Sequence, residues 1–244
     1  MDKIDKFYYI NLARRTDRNN NMVEQFNKAN VPRNIIERFE AIDGNTYIFS
    51  DIEKNLFKDC DYKDQSFATK IMGNQLSHHN IMIDMISKNY NYIVIMQDDS
   101  IFCDNFLSML NNVMENLPDN TEMVNIGYHK YAVLDQFIGW DLNNMNDYEL
   151  LGKNKINNYI CELKNHINPC SLAYILTLDG AKNIVKYFEI NGFQRPTDLN
   201  FNDYLQIKNI FYGSTHVLVT GDPKFGSDIF NKKKKKSYHH YINF

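Results

Sequence analysis

The most informative part of this sequence is Asn91-Tyr-Ile-Val-Ile-Met96, which runs into Gln97-Asp98-Asp99-Ser100. A continuous apolar run of strand length ends there in two adjacent carboxylates. Ligands of α/β proteins gather outside the carboxyl ends of parallel strands. Two neighbouring carboxylates repel each other unless a positive charge lies between them, and a divalent metal carrying a diphosphate would supply that charge. The alternative is that the Asp pair caps a helix predicted to begin near Asp104, because acidic residues favour helix starts.

Predicted strands and helices alternate on both sides of this stretch. The further strands are predicted at residues 7–12, 35–42, 122–127, 170–176 and 217–220. The helices are predicted from Thr16 or Asp17 to about residue 30, and at residues 77–88, 104–117, 179–189 and 196–210. Residues 45–72 are weakly patterned and are predicted to be a long excursion, and residues 128–165 are polar, Asn-rich and weakly patterned. This alternation indicates an α/β fold with a mostly parallel central sheet, in one domain rather than two.

The composition argues against several classes of protein. A net charge of −3 and a pI of about 6.2 give the chain no excess of positive charge for nucleic acid. No apolar stretch reaches the ~20 residues of a membrane span. Residues 1–6 lead into a run too short and too acidic for a signal peptide, so we expect a soluble or cytoplasmic protein. The four cysteines lack the Cys-x-x-Cys spacing of zinc or redox sites.

Seven short motifs occur in a fixed order along the chain, and together they carry a family resemblance. They are Tyr9-Ile-Asn-Leu12 with Arg14, Arg15, Asp17 and Arg18; Glu37-Arg-Phe-Glu-Ala-Ile-Asp-Gly44; Gly73-Asn-Gln-Leu-Ser-His78; residues 93–99 with Phe102; Ala173-Tyr-Ile-Leu176 with Gly180-Ala181; Pro196-Thr-Asp198; and Ser227-Asp-Ile229. Each motif alone is weak, but their order and spacing are specific. Over roughly residues 7–229 the chain resembles glycosyltransferase family 25, the lipopolysaccharide and collagen-type galactosyl- and glucosyltransferases.

The resemblance implies both a fold and a reaction. The fold is a GT-A-like, Rossmann-type nucleotide-sugar-binding domain over residues 1–230, followed by a basic tail at residues 231–244. The reaction is inverting transfer of galactose or glucose from a UDP-sugar donor, with Mn²⁺ or Mg²⁺, to a hydroxyl of a glycan or of a hydroxylysine-type protein side chain. The family's acidic triplet is Glu-Asp-Asp, whereas Gln97 occupies its first position here. An amide orients a hydroxyl or a bound water but brings no charge.

The resemblance also implies metal ligands. Asp99, at the last position of the triplet, is the first candidate for direct ligation. Asp98 is the second, acting through water or the ribose. His216 and Asp228 lie late in the chain, where GT-A folds often return a third ligand. Two carboxylates or fewer, with phosphates and waters, satisfy the octahedral oxygen coordination of manganese or magnesium.

Donor-binding candidates follow the first two predicted strands and the third motif. Asn11, Arg14 and Arg18 follow the first strand, and arginine matches phosphate geometry, although surface charge on the first helix is the plain alternative. Asp43 closes the second strand and is a candidate for the base or ribose, or simply a turn residue before Gly44. Ser77 and His78 are predicted at a helix start, where backbone amides favour anions. The alternative there is a capping Ser beside a partly buried His.

An inverting transfer also needs a base for the acceptor hydroxyl. Asp198, in Pro196-Thr-Asp198, is the candidate, and Asp203 is the fallback; the alternative is that Asp198 caps the following helix. Two other readings remain open: a sugar-nucleotide hydrolase, and a degenerate transferase that binds a sugar nucleotide or a partner without transfer, which the Gln97 change permits. Trp140 is either core or a platform for a sugar. The run Lys232–Lys236 is either solvated or a contact for an anionic surface.

Overall fold

The molecule is an α/β protein with helices on both faces of a central sheet. The computed structural model describes residues 3–60, 65–128, 155–163 and 171–229. The described strands are β1 Lys6–Asn11, β2 Ile36–Glu40, β3 Tyr92–Gln97, β4 Ser100–Phe102, β5 Met123–Asn125, β6 Ile160–Glu162, β7 Ala173–Thr177, β8 Tyr212–Ser214 and β9 Val219–Gly221. The described α-helices are α1 Thr16–Lys28, α2 Asp51–Asn55, α3 Gln65–Lys88, α4 Phe106–Glu115, α5 Leu178–Asn191 and α6 Thr197–Lys208, with short 3₁₀ turns at Arg33–Ile35 and Pro223–Phe225.

Among the described strands, seven form the central sheet in the order β2-β1-β3-β7-β5-β8-β6. Strands β2, β1, β3, β5 and β8 point the same way, and β7 and β6 run against them. The predicted α/β class with a mostly parallel central sheet is therefore confirmed. Strands β4 and β9 form a separate antiparallel pair.

Strand β1 shows why the central strands are apolar on both sides. The Phe7 ring packs edge-on against Phe26 of α1, with 6.1 Å between ring centroids. On the other face, the Tyr8 hydroxyl donates a hydrogen bond to Asp84 of α3. Because helices cover both faces, the strand reads as a continuous apolar run rather than an alternating one. The same holds for β3, whose residues Ile93, Val94, Ile95 and Met96 are fully buried.

The predicted excursion over residues 45–72 was wrong. Helix α2 lies inside it, capped by Ser50 and Glu53, which accept hydrogen bonds from each other's backbone amides. Helix α3 begins at Gln65 rather than near residue 77. The apolar side of α3 extends back to the buried Ala68 and Ile71. Glycine at position 73 weakens the helix pattern in the sequence, because glycine is a poor helix former.

The other predicted elements are present with shifted ends. Strands β4, β6 and β8 were not predicted. Strand β6 lies in the weakly patterned segment 128–165, and β4 and β8 follow closely on other predicted elements, so their three residues show no separate period. Trp140, Cys170 and the basic tail lie outside the described residues. None of the helices in the described part of the chain is long and apolar enough to cross a bilayer.

Candidate functional site

A pocket lies at the carboxyl ends of the adjacent parallel strands β2, β1 and β3. It is lined by Leu12 and Arg14 after β1, residues 41–45 after β2, and residues 97–99 at the end of β3. Helix α3 contributes Lys70 and Asn74, and residues 227–229 close the pocket from the end of the described chain. The predicted edge of the sheet therefore does form a concave site, as expected for parallel strands.

The two adjacent carboxylates of the site have different surroundings. Both oxygens of Asp98 are hydrogen-bonded, one to Arg18 Nη1 at 2.7 Å and the other to Asn11 Nδ2 at 2.7 Å. Only 4% of Asp98 is exposed, and this burial raises its pKa, although Arg18 opposes the shift. Arg38 Nε donates to Asn11 Oδ1 at 2.8 Å and fixes the orientation of that amide. The contacts of Asp98 thus tie the end of β3 to β1 and α1.

Asp99 is the carboxylate with an unused oxygen. Its Oδ1 is buried and has no hydrogen-bond partner among the described residues. Its Oδ2 lies 3.9 Å from Arg18 Nη1, which is a looser contact than the one Asp98 makes. A buried carboxylate oxygen without a hydrogen-bond partner costs free energy, and this oxygen lies in a pocket. We therefore expect a ligand to bind it.

A divalent cation fits this oxygen. No group of three or more His, Cys, Asp or Glu side chains within the described ranges is arranged to hold a metal by itself. Magnesium and manganese are often held by one or two carboxylates together with waters and substrate phosphates. The residues present therefore suit a cation held by Asp99 and completed by a phosphate ligand.

Three arginines surround Asp228 at the rim of the pocket. Arg14 Nη2 lies 3.3 Å and Arg18 Nη2 lies 3.4 Å from the Asp228 carboxylate, and Arg15 Nη1 also bonds to it. Arg18 Nη2 donates to the carbonyl of Gly226 at 2.7 Å, and Arg15 Nη2 donates to that of Phe225 at 3.3 Å. These contacts hold residues 225–228 against the start of α1.

Asp43, which follows β2, also lines the pocket. Its carboxylate pairs with Arg14, and its Oδ1 accepts hydrogen bonds from the Asn45 backbone amide at 3.1 Å and side-chain amide at 2.9 Å. Ser77 holds the neighbouring lining residue Ile42 in place. Its Oγ accepts a hydrogen bond from the Ile42 amide at 2.9 Å and donates one to the Gly73 carbonyl at 2.7 Å.

The predicted helix start at Ser77 and His78 was wrong, because both residues lie in the interior of α3, whose amides are already paired along the helix. His78 is fully buried, and its Nδ1 lies 2.8 Å from the Tyr174 hydroxyl. Burial lowers the pKa of His78 to about 3, so its imidazole is neutral. The structure does not place His78 in the lining of the pocket.

The remaining candidates lie outside the pocket lining. Asp198 is half-buried at the start of α6, with its Oδ1 accepting from the Leu199 amide at 3.0 Å. Its neighbour Thr197 accepts a hydrogen bond from the pocket residue Asn74 at 2.9 Å, which places Asp198 next to the wall. Asp203 forms a bidentate ion pair with Arg195.

His216 follows β8, and its Nδ1 lies 3.0 Å from Thr215 Oγ1. It is not a lining residue of the pocket that contains Asp99.

Sequence reasoning missed several residues of the site. Lys70 and Asn74 lie one turn apart on α3, in and beside the segment predicted to be irregular, so the mistaken helix start concealed them. Arg15 belongs to the first motif but was not singled out. Gln97 was singled out, but its partner was not: Gln97 Nε2 donates to Ser171 Oγ at 3.0 Å, and no local pattern reveals a contact between such distant segments.

Comparison with known proteins gives a family match over most of the chain. The model of "Glycosyltransferase family 25 (LPS biosynthesis protein)" matches residues 4–199. Over 144 residues, the chain is 28% identical to "Probable inactive glycosyltransferase 25 family member 3" of Rattus norvegicus. Over 144 residues, it is 27% identical to "Inactive glycosyltransferase 25 family member 3" of Mus musculus. These alignments cover 57% of this chain but only 22% and 21% of the two relatives, so the chain spans about a fifth of their length.

Among solved structures, the apo form of mouse xyloside xylosyltransferase 1 is a distant match. The TM-score is 0.39 at 8% sequence identity, and the match covers 88% of this chain and 83% of the other. So remote a similarity says nothing about function.

Proposed function

The chain belongs to glycosyltransferase family 25, and from that premise we propose that it is a metal-dependent, inverting hexosyltransferase. It transfers galactose or glucose from a UDP-sugar to a hydroxyl of a glycan or of a hydroxylysine-type protein side chain. Residues 1–230 form the single GT-A-like catalytic domain, and residues 231–244 form a basic tail.

The observation that carries this proposal is the unpartnered Oδ1 of Asp99 in the pocket. It is a buried negative charge at the edge where parallel strands end, and it lies in the same pocket as basic side chains. A cation and an anionic phosphate together satisfy both kinds of group. Such a cation, when bound by Asp99, supplies stabilisation of the charge that develops on the leaving diphosphate.

The other residues of the pocket bind and orient the donor. Asp98 positions Arg18 and Asn11 rather than ligating the cation, because both of its oxygens are engaged. Arg14 and Arg18 reach the donor phosphates by exchanging part of their contact with Asp228. In the proposal, Asp228 is therefore a partner of the arginines, and Asp43 is the contact for the base or ribose.

Asp198 is the proposed general base. The hydrogen bond between Asn74 and Thr197 holds the start of α6 against the pocket wall. A carboxylate there accepts the proton of an acceptor hydroxyl that attacks the anomeric carbon. Asp203 is less suited to this role, because its two oxygens are occupied by Arg195.

A second candidate function is binding of a sugar nucleotide without transfer. Two observations favour it. The named relatives in rat and mouse are described as inactive. In addition, Gln97 places a neutral amide, held by Ser171, where the family has a glutamate.

A transfer assay separates these functions. UDP release from UDP-galactose and UDP-glucose is measured with and without Mn²⁺, and with simple glycosides or hydroxylysine peptides as acceptors. Mn²⁺-dependent and acceptor-dependent release supports the transferase, and it should fall at least about 100-fold in Asp198→Asn. Equal release without any acceptor indicates a hydrolase. UDP binding without release under all these conditions supports the second candidate and overturns the first.

A further inference from the structure

The charges that line the pocket are mostly paired within the protein. Arg14 contacts Asp43 and Asp228, and Arg18 contacts Asp98 and Asp228. A ligand phosphate must compete with these carboxylates for either arginine. The arginines therefore offer an incoming anion only a part of their charge.

Lys70 differs from the arginines in this respect. It lines the same pocket and is half-buried. Among the residues that the structure describes, no hydrogen bond or ion pair engages its ammonium group. Within the described part of the chain, Lys70 is thus a cationic side chain of the pocket without a partner, and Asp99 Oδ1 is a buried carboxylate oxygen of the pocket without one.

The backbone around Lys70 is held firmly. A Cβ atom at Gly44 would lie 1.9 Å from the Thr69 carbonyl oxygen and 2.7 Å from the Lys70 amide nitrogen. The turn after β2 therefore touches α3 directly at Lys70. One helical turn further on, Asn74 is tied to Thr197 of α6 at 2.9 Å. These contacts fix the stem of Lys70 at the pocket wall and leave its flexible end available to a ligand.

We propose that Lys70 is the principal cationic contact for the diphosphate of the bound donor nucleotide. The inference rests on the proposed function, and it adds a specific phosphate-binding residue to it. The lysine ammonium group is a compact positive charge with three hydrogen-bond donors. It would bind those diphosphate oxygens that the divalent cation at Asp99 leaves uncoordinated. Because no described residue pairs with Lys70, its contact with the phosphate carries no cost of breaking an internal ion pair, unlike the contacts of Arg14 and Arg18.

The test compares ligands that differ only in their phosphates. Binding of UDP, UMP and uridine is measured by calorimetry with Mg²⁺ on wild type, Lys70→Gln and Lys70→Arg, with GDP as an alternative nucleotide. Lys182→Gln is the matched control, because Lys182 is exposed on α5 and outside the pocket lining. We expect Lys70→Gln to weaken UDP binding about tenfold or more, and to leave uridine binding unchanged. Lys70→Arg should restore most of the affinity, and Lys182→Gln should bind as wild type.

The outcomes separate the inference from the function on which it rests. If wild type binds UDP and Lys70→Gln binds it equally well, Lys70 is not the phosphate contact, and the proposed function stands. An equal loss for UDP and uridine would assign Lys70 a structural role and overturn the inference. If wild type binds neither UDP nor GDP, the proposed function fails and the inference fails with it. A smaller dependence of UDP affinity on salt in Lys70→Gln than in wild type would support the inference further.

Discussion

The adjacent residues Asp98 and Asp99 have different roles: the contacts of Asp98 are structural, and Asp99 is available to a ligand. Asp98 neutralises a buried guanidinium and orients an amide, whereas Asp99 keeps one oxygen for a ligand. The sequence alone ranks Asp99 above Asp98 only through the family triplet. The structure adds a physical reason, because a carboxylate with both oxygens engaged is a poor metal ligand.

This difference between Asp98 and Asp99 predicts different effects of their substitution on stability. Asp98→Asn removes the nearest counter-charge of Arg18, which is 7% exposed and keeps only the longer contacts to Asp99 at 3.9 Å and Asp228 at 3.4 Å. The free energy of unfolding should fall by about 3 kcal/mol. Asp99→Asn removes a charge whose Oδ1 has no partner and should leave stability unchanged or slightly raised. Urea denaturation measures both variants. Glu24→Gln, which affects an exposed pair with Lys28, is the control and should change little. An equal loss in the two aspartate variants would show that Asp99 is also structural.

His78 predicts a dependence of stability on pH. Burial lowers its pKa to about 3 in the folded protein, while the imidazole titrates near ~6.5 in the unfolded chain. Between about pH 6.5 and pH 3 the unfolded state therefore binds more protons than the folded state. The contribution of neutral His78 to the free energy of unfolding is fully present above about pH 6.5 and is lost progressively as the pH falls toward 3. The loss from His78 at pH 5 is about 2 kcal/mol.

Urea denaturation at pH 7.5 and pH 5 checks this expectation. The difference in the free energy of unfolding between the two pH values should be smaller in His78→Gln than in wild type. His79, whose pKa burial also lowers, adds to the loss in both proteins and leaves the comparison intact. The same difference in wild type and variant would contradict the assignment to His78.

Among the secondary-structure elements, the central strands β1 and β3 were predicted from the sequence more accurately than helix α3. Strands β1 and β3 are buried on both faces, and their continuous apolar runs are visible in the sequence. The first half of α3 was missed, because the pattern weakens around Gly73. That glycine serves a tertiary contact, since a Cβ there would lie 2.4 Å from the Ile42 carbonyl oxygen. Such a contact joins distant segments, and no local periodicity encodes it.

Gly73→Ala should therefore be destabilising, although alanine is the better helix former. The added methyl group meets backbone rather than a movable side chain, and overpacking of this kind costs about 3 kcal/mol. Thermal or urea unfolding measures the change. Ile83→Ala, at a position of the same helix that is 45% exposed, is the control and should cost less than about 1 kcal/mol. A Gly73→Ala protein as stable as wild type would show that α3 moves freely away from β2.

At the scale of the whole molecule, the pocket depends on contacts between the two ends of the described chain. The start of α1 supplies the arginines, and residues 225–228 supply two carbonyl groups and a carboxylate. The sequence marked both segments as motifs of one family, but it did not show that they bind each other. The two segments are separated by more than 200 residues, so no local sequence pattern reveals their contact. They meet only in the folded protein.

Asp228→Asn should loosen the final described segment without unfolding the protein. It weakens three contacts to arginines, of which Arg15 and Arg18 are mostly buried. Amide hydrogen exchange of residues 222–229 should become about tenfold faster, while exchange in α5 should stay the same. Unchanged exchange in residues 222–229 would mean that the backbone contacts of Gly226 and Phe225 alone hold the segment.

The proposed function requires that Asp99 binds a divalent cation together with a donor diphosphate. The most direct test is electron paramagnetic resonance of Mn²⁺, titrated into wild type and Asp99→Asn with and without UDP. We expect tight Mn²⁺ binding by wild type only in the presence of UDP, because the described residues alone supply few ligands. In Asp99→Asn that binding should be lost while the fold is retained. UDP-dependent Mn²⁺ binding that is equal in the two proteins would show that Asp99 does not hold the cation.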